Sequence, residues 1–327
     1  MYDKFVGKDS DEYKTATAPM RTEDVPGDKY MALNEKDALP DEFDFRGLIG
    51  TLMYAAVRTK PETSFAVCLL ARYCACPSQV HYDAALQIVK YMKNTSDQGL
   101  KYWPKRMCQN ALPLVGHVDA SFGSKATTYK STYGYCFHMF GGLIMCKSKK
   151  VTIQAISVNE AEYFAANEAT RDAIHLRRLV EALGYTWDGP VLIGEDNRQV
   201  IHQVDDPEVR MALRQIGARV HYVKDMVKHK VVKFVYCRTN RNVADIETKS
   251  LTGAKFAVFR DVLTKGGGSA DGKLGMFDTF NSQLVQACLH GHWRSLKSVI
   301  RNRVLTYFGA KSVRQNDPPP CEPYDRI

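Results

Sequence analysis

The alternation of strand-type and helix-type patterns after Pro113 restricts the fold of this chain more than any other feature. Three segments with strand periodicity follow one another, LVGHVDAS, STYGYCFHMFGG and LIMCKSK. The second alternates Tyr133, Tyr135, Phe137 and Met139 on one face, and two glycines separate it from the third. Short alternating segments joined by turn residues are typical of antiparallel strands. We therefore expect three antiparallel strands in succession.

Helices and strands then alternate to the end of this region. A long helix is predicted from about Asn159 to Leu183, followed by the strand VLIGE, a short helix from Asn197 and a basic helix near 209–229. The strand VVKFVYC and a helix within NVADIETKSLTGAKFAVFRDVL complete the series. The order βββαβαβα predicts an α/β domain over 112–264, with a five-stranded mixed sheet, flanking helices and ligand groups at the carboxyl ends of the central strands.

The inner stripe of the long helix begins with an acid where an apolar residue is expected. Steps of four and three residues from Glu162 reach an apolar series: Ala166, Ala169, Ala173, Leu176, Val180 and Leu183. Glu160 lies outside this stripe and fits the role of a helix cap. Glu162 needs a different explanation.

Three further acids lie at the ends of predicted elements. Asp119 follows LVGHV, Asp196 follows VLIGE, and Asp245 lies early in the last helix. Crowded, buried carboxylates are costly unless a cation compensates them, and Mg²⁺ prefers such oxygen ligands. A pair of ions about 3.5–4 Å apart can activate water and stabilise the leaving oxygen of a phosphodiester. The four acids together indicate a metal-dependent nuclease.

Each acid also has an ordinary explanation. A glutamate in the first turn of a helix is often a cap or a partner of the helix dipole. An aspartate after a strand is often a turn residue or the N-cap of the next helix, and Asp245 could simply face solvent. Spacing alone therefore leaves both interpretations open.

The segments on either side of the α/β region have distinct compositions. Residues 1–44 are acidic and polar with little periodicity, which predicts a disordered linker. Residues 45–105 contain three amphipathic helical segments, FRGLIGTLMYAAVRT, SFAVCLLARYCAC and QVHYDAALQIVKYMKNT, separated at prolines. Residues 265–327 begin with a glycine-rich linker and continue as a basic tail.

Charge and cysteine content bear on partners and compartment. The net charge is +9, and basic residues exceed acidic ones in residues 45–264, which suggests a polyanionic partner such as nucleic acid. The sequence has no long apolar stretch typical of a membrane span and no signal-peptide pattern, so we expect an intracellular protein, cytoplasmic or nuclear, without a membrane partner. The nine cysteines show no CxxC pair, and most are expected to be reduced packing residues.

Five motifs, HVDASF, KSTYGY, SVNEAEYFAANEA, EDNRQVI and NVADIETK, occur in that order with suitable gaps. Together they resemble the ribonuclease H domain of copia-type retrotransposon polyproteins. The stretches FRGLIGTLMYAAVRTKPETSFAVCLLARY and VHYDAALQIVKYMKNTSDQGLKY resemble the segment between the reverse-transcriptase palm and that domain. The resemblance covers about residues 45–264.

This resemblance implies a ribonuclease H-like fold that hydrolyses the RNA strand of RNA:DNA hybrids with two Mg²⁺ ions, with Mn²⁺ as an alternative. Asp119 matches the acid that bridges both ions. Asp245 matches the acid that, with Asp119, holds the ion activating the attacking water, and Glu162 and Asp196 match the ligands of the second ion. Five polar residues are candidates for contact with the hybrid, of which the first three match the family's RKST turn: Lys130, Ser131, Thr132, Asn159 and Asn197.

Some features depart from the family. No reverse-transcriptase palm precedes the acids, so no polymerase activity is expected. The family's histidine after Asp196 is replaced around Gln215 and Ile216, and Glu247 stands where an apolar residue is common. The leading hypothesis is an active nuclease within a truncated polyprotein, and the alternative is an inactive remnant that at most binds nucleic acid. A host-recruited interaction module is a third hypothesis, supported by residues 265–327 alone; the oligomeric state is not predicted.

Overall fold

The computed structural model describes ten stretches of the chain, which are residues 16–20, 39–40, 43–102, 114–123, 131–139, 141–152, 155–184, 189–206, 217–251 and 253–266. Most of the predicted linker 1–44 and of the tail 265–327 lies outside the described residues. The same is true of Lys130, Gln215 and Ile216.

The region 45–105 forms the three predicted helices, α1 (Phe45–Arg58), α2 (Ser64–Leu70) and α3 (Gln79–Asn94). Asp44 caps α1, accepting a hydrogen bond of 2.8 Å from the Gly47 N–H. The apolar faces of the three helices pack into one cluster whose fully buried members include Leu48, Leu52, Leu70 and Ile88. This region therefore has a hydrophobic core of its own.

Five strands form one mixed sheet, and they are β1 (Leu114–Ser121), β2 (Thr132–Met139), β3 (Gly142–Lys150), β4 (Val191–Glu195) and β5 (Val232–Tyr236). Their order across the sheet is β3-β2-β1-β4-β5. The pairs β1–β2 and β2–β3 are antiparallel, whereas β1–β4 and β4–β5 are parallel. The predicted sheet is confirmed, and β1 lies at its centre.

Helix α4 (Val158–Ala182) connects β3 to β4 and packs on one face of the sheet. Its stripe is buried from Glu162 to Val180, but the predicted last member, Leu183, was wrong. Leu183 is 66% exposed because it lies at the C-cap, beyond the last helical turn. Two further helices, α5 (Arg198–Asp205) and α6 (Gly217–Lys228), contribute valines to the same core.

The prediction of one continuous helix around Asp245 was also wrong. A 3₁₀ helix (Val243–Glu247) comes first, and α7 (Gly253–Lys265) begins separately at a glycine with φ of +61°. Buried Asn242 holds the 3₁₀ helix in place: its amide donates to the Val118 carbonyl of β1 at 2.8 Å, and its oxygen accepts from the Ala244 N–H. Asp245 is therefore anchored to the central strand.

The helical region 45–105 packs on the sheet face opposite α4. The Arg72 guanidinium donates to the Thr132 hydroxyl of β2 at 2.8 Å, and Ser64 of α2 lies 4.0 Å from the Cys146 sulfur of β3. The 3₁₀ helix lies directly on the same face, since a Cβ added at Gly134 would lie 2.4 Å from the Glu247 Cβ. Among the helices in the described ranges, none combines the length and apolar character that a membrane crossing requires.

Candidate active site

Three of the four predicted acids come together at the carboxyl end of the central strands. Asp119 lies in β1, Asp196 directly follows β4, and Glu162 is in the first helical turns of α4. Each contributes a carboxylate oxygen to a group whose members all lie within 4.8 Å of one another. Because β1 and β4 are parallel neighbours, their ends meet at one edge, and α4 starts above it. We call Asp119, Glu162 and Asp196 the acid cluster.

Asp245 adjoins the acid cluster through a shared cation. The Lys249 ammonium lies 2.7 Å from Asp245 Oδ1 and 3.2 Å from the Asp119 carboxylate. Lys255 holds the other oxygen of Asp245 at 2.6 Å, and the Thr248 hydroxyl donates to Asp119 Oδ2. The fourth predicted acid is thus positioned beside Asp119.

Burial makes this concentration of carboxylates electrostatically costly. Asp119 is 1% exposed and Asp245 is fully buried, whereas Asp196 is half-buried. Burial raises the pKa of Asp119 to about 6, although Lys249 opposes the shift. Burial, and then the neighbouring Glu195 and Asp119, raise the pKa of Glu162 well above its ordinary value. A cation at this point would remove much of the cost.

The donor set fits a divalent cation of the magnesium type. Carboxylate oxygens are the ligands that such hard ions prefer, and one or two protein carboxylates with substrate oxygens and waters complete the usual shell. Oxygens on one octahedral ion lie up to about 4 Å apart, so the spread of the acid cluster requires only small side-chain movements. Among the described residues, Glu162 Oε2 has no hydrogen-bond partner, which leaves it available as a ligand.

Three neighbours of the acids were not singled out from the sequence. Glu195, at the end of β4, is fully buried, and burial raises its pKa well above the ordinary value. Its position directly before Asp196 was the available signal. Thr248 and Lys249 lie in the motif NVADIETK, which assigns them no role, although the i, i+4 spacing of Asp245 and Lys249 favours an ion pair.

Two of the predicted hybrid contacts are buried in this structure. Ser131 and Thr132 are 0% and 4% exposed. The Ser131 hydroxyl accepts from the Gly123 N–H at 3.3 Å, and that of Thr132 accepts from Arg72. They hold the ends of the β1–β2 connection here, so their contact with nucleic acid stays a prediction, as does that of Lys130.

The two predicted asparagines lie beside the acids and are half-buried. Asn159 donates to the Gln203 side chain at 2.8 Å, and Asn197 caps α5 by accepting from the Gln199 N–H at 2.9 Å. The next residue, Arg198, stacks on the exposed ring of Tyr236, 4.2 Å from its centroid. The sequence analysis did not single out this basic and aromatic pair, because its members belong to separate elements.

The predicted cap role of Glu160 is confirmed. Ser157, the N-cap of α4, accepts from the Glu160 N–H at 3.1 Å, and Glu160 Oε2 accepts from the Ile156 N–H at 2.7 Å. Glu160 is thus committed to the helix start, whereas Glu162, two residues later, faces the other acids. The two glutamates form a natural pair for mutational comparison.

Comparison with known proteins identifies relatives among transposon polyproteins. No family model matches the chain. It is 29% identical over 219 residues to the retrovirus-related Pol polyprotein from transposon TNT 1-94 of Nicotiana tabacum, a match covering 67% of this chain and 16% of the polyprotein. It is 28% identical over 229 residues to the Pol polyprotein from transposon RE2 of Arabidopsis thaliana, a match covering 70% of this chain and 15% of the polyprotein. The chain thus spans about one sixth of the length of these relatives.

A shorter relative and two solved structures are also similar. The secreted RxLR effector protein 161 of Plasmopara viticola is 33% identical over 128 residues, which cover 39% of this chain and 87% of that protein. The crystal structure of LC11-RNase H1 in complex with an RNA/DNA hybrid aligns at 18% identity and a TM-score of 0.32, over 41% of this chain and 93% of that one. The crystal structure of RNase H1 from the archaeon Halobacterium salinarum aligns at 14% identity and a TM-score of 0.29, over 40% of this chain and 89% of that one.

The strand order agrees with the five-stranded sheet expected from the motifs. Three antiparallel strands are followed by two that extend the sheet in parallel from β1, with α4 between the two groups. This chain has a ribonuclease H-like fold, its homologues include retrovirus-related Pol polyproteins from plant copia-type transposons, and it fits the C-terminal part of such a polyprotein.

Proposed function

We propose that this chain is a ribonuclease H-type endonuclease that hydrolyses the RNA strand of RNA:DNA hybrids and uses two Mg²⁺ ions, or Mn²⁺ in their place. The observation that carries the proposal is the meeting of Asp119, Glu162 and Asp196 within 4.8 Å, from three separate elements. Burying these acids together destabilises the folded protein, and a structural role alone would not explain why they are buried together. Such clusters are typical of functional sites.

In this proposal each acid has a defined place. Asp119 would contribute to both ions, Asp245 would join it on one, and Glu162 and Asp196 would hold the other. When bound, the ions would supply Lewis-acid activation of a water molecule and stabilisation of the leaving oxygen. Thr248 and Asn242 attach the 3₁₀ helix that carries Asp245 to β1. The Thr248 hydroxyl donates to Asp119, and the Asn242 amide donates to the Val118 carbonyl.

Lys249 compensates the acids when no divalent ion is bound. Its ammonium contacts both Asp119 and Asp245, where added positive charge would otherwise be needed. Since it is 39% exposed on a flexible side chain, it can move outward when a divalent ion supplies the positive charge in its place. Lys249 would then remain close enough to attract the phosphate backbone of a substrate.

Recognition of the hybrid would rest on the surface around the acids. Basic side chains would contact phosphates, and polar groups would contact 2′-hydroxyls in the wide minor groove. Arg198 with Tyr236, and Asn159 and Asn197, would supply such contacts, because Arg198 and both asparagines are within three positions of Asp196 or Glu162 in the chain. Affinity for the hybrid is expected to fall steeply as salt rises.

A cleavage assay with matched variants tests the proposal. The substrate is a hybrid labelled on its RNA strand, and duplex DNA serves as the specificity control. Wild type and Glu160→Gln should cut the RNA with Mg²⁺, because Glu160 serves only the helix cap. Asp119→Asn and Glu162→Gln should lose at least about a hundredfold in rate, the order expected for removing a group that stabilises the transition state.

The main alternative is a folded remnant that binds nucleic acid without cutting it. The observation that favours it is the pairing of Asp119 and Asp245 with the Lys249 ammonium, which neutralises part of their charge without a divalent ion. If none of the proteins cuts but all bind the hybrid equally, the remnant is the correct description. If all cut equally, the reaction does not depend on these acids.

A further inference from the structure

A second group of side chains of types that can bind a metal lies in β1 and β2, two residues from Asp119 along β1. His117 of β1 pairs directly with Cys136 of β2, and His138 is two residues further along β2. All three side chains project from the sheet face opposite α4, because residues that alternate with them, such as Val118 and Phe137, belong to the core under that helix. Their donor atoms lie within 4.8 Å of one another.

This group is enclosed and chemically different from the acid cluster. His117 is 1% exposed, and Cys136 and His138 are completely buried. Burial lowers the pKa of His138 to about 3, so its imidazole is neutral and has the form that coordinates metals. The backbone of Val262 in α7 lies beside the His138 ring and opposes part of this shift.

We propose that His117, Cys136 and His138 bind one zinc ion, in a site separate from the one formed by the acids. Two imidazoles and a thiolate are ligands that zinc prefers, whereas Mg²⁺ selects oxygen. The two sites would therefore take different ions from a mixture.

The geometry requires only a modest closure. In a tetrahedral zinc site, donor atoms lie roughly 3.3–3.6 Å apart, given bond lengths of about 2.0–2.3 Å. The two imidazole rings now have centroids 6.5 Å apart at 90°, so rotations of the side chains must bring the donors together. Burial raises the pKa of the Cys136 thiol well above its ordinary value, so the thiol is protonated before binding; zinc would displace this proton to solvent as the sulfur–zinc bond forms. Three protein ligands leave a fourth position for a small ligand.

The site would brace the strand pair beneath the active site. His117 is two residues from Asp119 on the same strand, so an ion that joins β1 to β2 at this level restricts the position of Asp119. Because all three ligands are buried, the bound ion should exchange slowly and survive dialysis against a weak chelator. Zinc should also raise the melting temperature of the protein, since it binds only the folded chain.

Cobalt provides the spectroscopic test on the full chain. Titration of the metal-free protein with Co²⁺ should produce a sulfur-to-cobalt absorption band in the near ultraviolet and the visible bands of a tetrahedral ion. Cys136→Ser should abolish the near-ultraviolet band. Cys146→Ser is the matched control, because Cys146 pairs with Cys136 across the sheet but is not one of the three ligands, and it should keep the band.

Two further measurements make the result decisive. Wild type dialysed after zinc loading should retain about one zinc per chain, and His138→Gln should bind it at least tenfold more weakly. Asp119→Asn with Glu162→Gln should retain the zinc, which would separate this site from the acid cluster. A near-ultraviolet band that persists in Cys136→Ser, or wild type that holds no more zinc than His138→Gln, would overturn the proposal.

Discussion

Asp119→Asn is expected to stabilise the metal-free protein at neutral pH while it removes the proposed activity. The folded-state pKa of Asp119 is raised from 3.8 to about 6, chiefly by burial. A carboxyl with a raised folded-state pKa destabilises the folded protein at pH values above that pKa, where it is charged. The penalty disappears as pH falls towards the unfolded-state value, since the group is then protonated in both states.

The size of the effect follows from this shift. At about 1.4 kcal/mol per pKa unit, a shift of roughly two units corresponds to about 3 kcal/mol as an upper value. The opposing effect of Lys249 is already part of this shift, but the amide of the variant is a buried polar group that must also be desolvated, so the expected gain is about 1–2 kcal/mol. For a chain of this size, that is a rise of about 2–8 °C in melting temperature.

Thermal unfolding in the presence of a strong chelator measures the difference. The gap between Asp119→Asn and wild type should be largest at pH 7–8 and should close as pH falls from about 6 towards 4. Millimolar Mg²⁺ should stabilise wild type and Glu160→Gln, but not Asp119→Asn, and should thereby narrow the gap at neutral pH. A variant less stable than wild type at pH 7.5, or a gap independent of pH, would refute this electrostatic reasoning.

Other substitutions test the supports of the site. Gly134→Ala should displace the 3₁₀ helix that carries Asp245, because the added Cβ would lie 2.4 Å from the Glu247 Cβ. This variant should lower both the stability of the protein and its affinity for Mg²⁺. Gly50→Ala, on an open helix surface, should instead stabilise the protein by about 0.5–1 kcal/mol in denaturant titrations. Asn242→Ala should cost about 2–3 kcal/mol in urea unfolding, since it leaves the Val118 carbonyl without its donor, and unchanged stability would contradict that role. Leu48→Ala, in the separate core of residues 45–105, should cost about 2–5 kcal/mol by the same measurement.

The sheet and long helix could be predicted because their patterns are local. Alternation along β2 and the stripe of α4 each place one face in the core, and both are confirmed. The end of that stripe was missed at Leu183, because the helix stops before it. The break between the 3₁₀ helix and α7 was also missed, since the anchor of that turn is the Asn242 contact with Val118, 124 residues away in the chain.

The proximity of Asp119, Glu162 and Asp196 could be predicted, because each lies at the end of a helix or strand. The positive group that compensates their charge could not be predicted. Lys249 contacts Asp119 across 130 residues, and no local pattern reports such a bond. The burial of Thr132 depends likewise on Arg72, which comes from the helical region. Residues whose environment is formed by another region of the chain are those that sequence patterns describe least well.

The most direct measurement of the central claim is an anomalous-scattering map from crystals grown with Mn²⁺ and a hybrid carrying a non-cleavable linkage. We expect manganese peaks within coordination distance of Asp119, Glu162 and Asp196, beside a phosphate of the RNA strand, with the Lys249 ammonium displaced from Asp119. The absence of manganese from these carboxylates in crystals that contain the hybrid would contradict the claim.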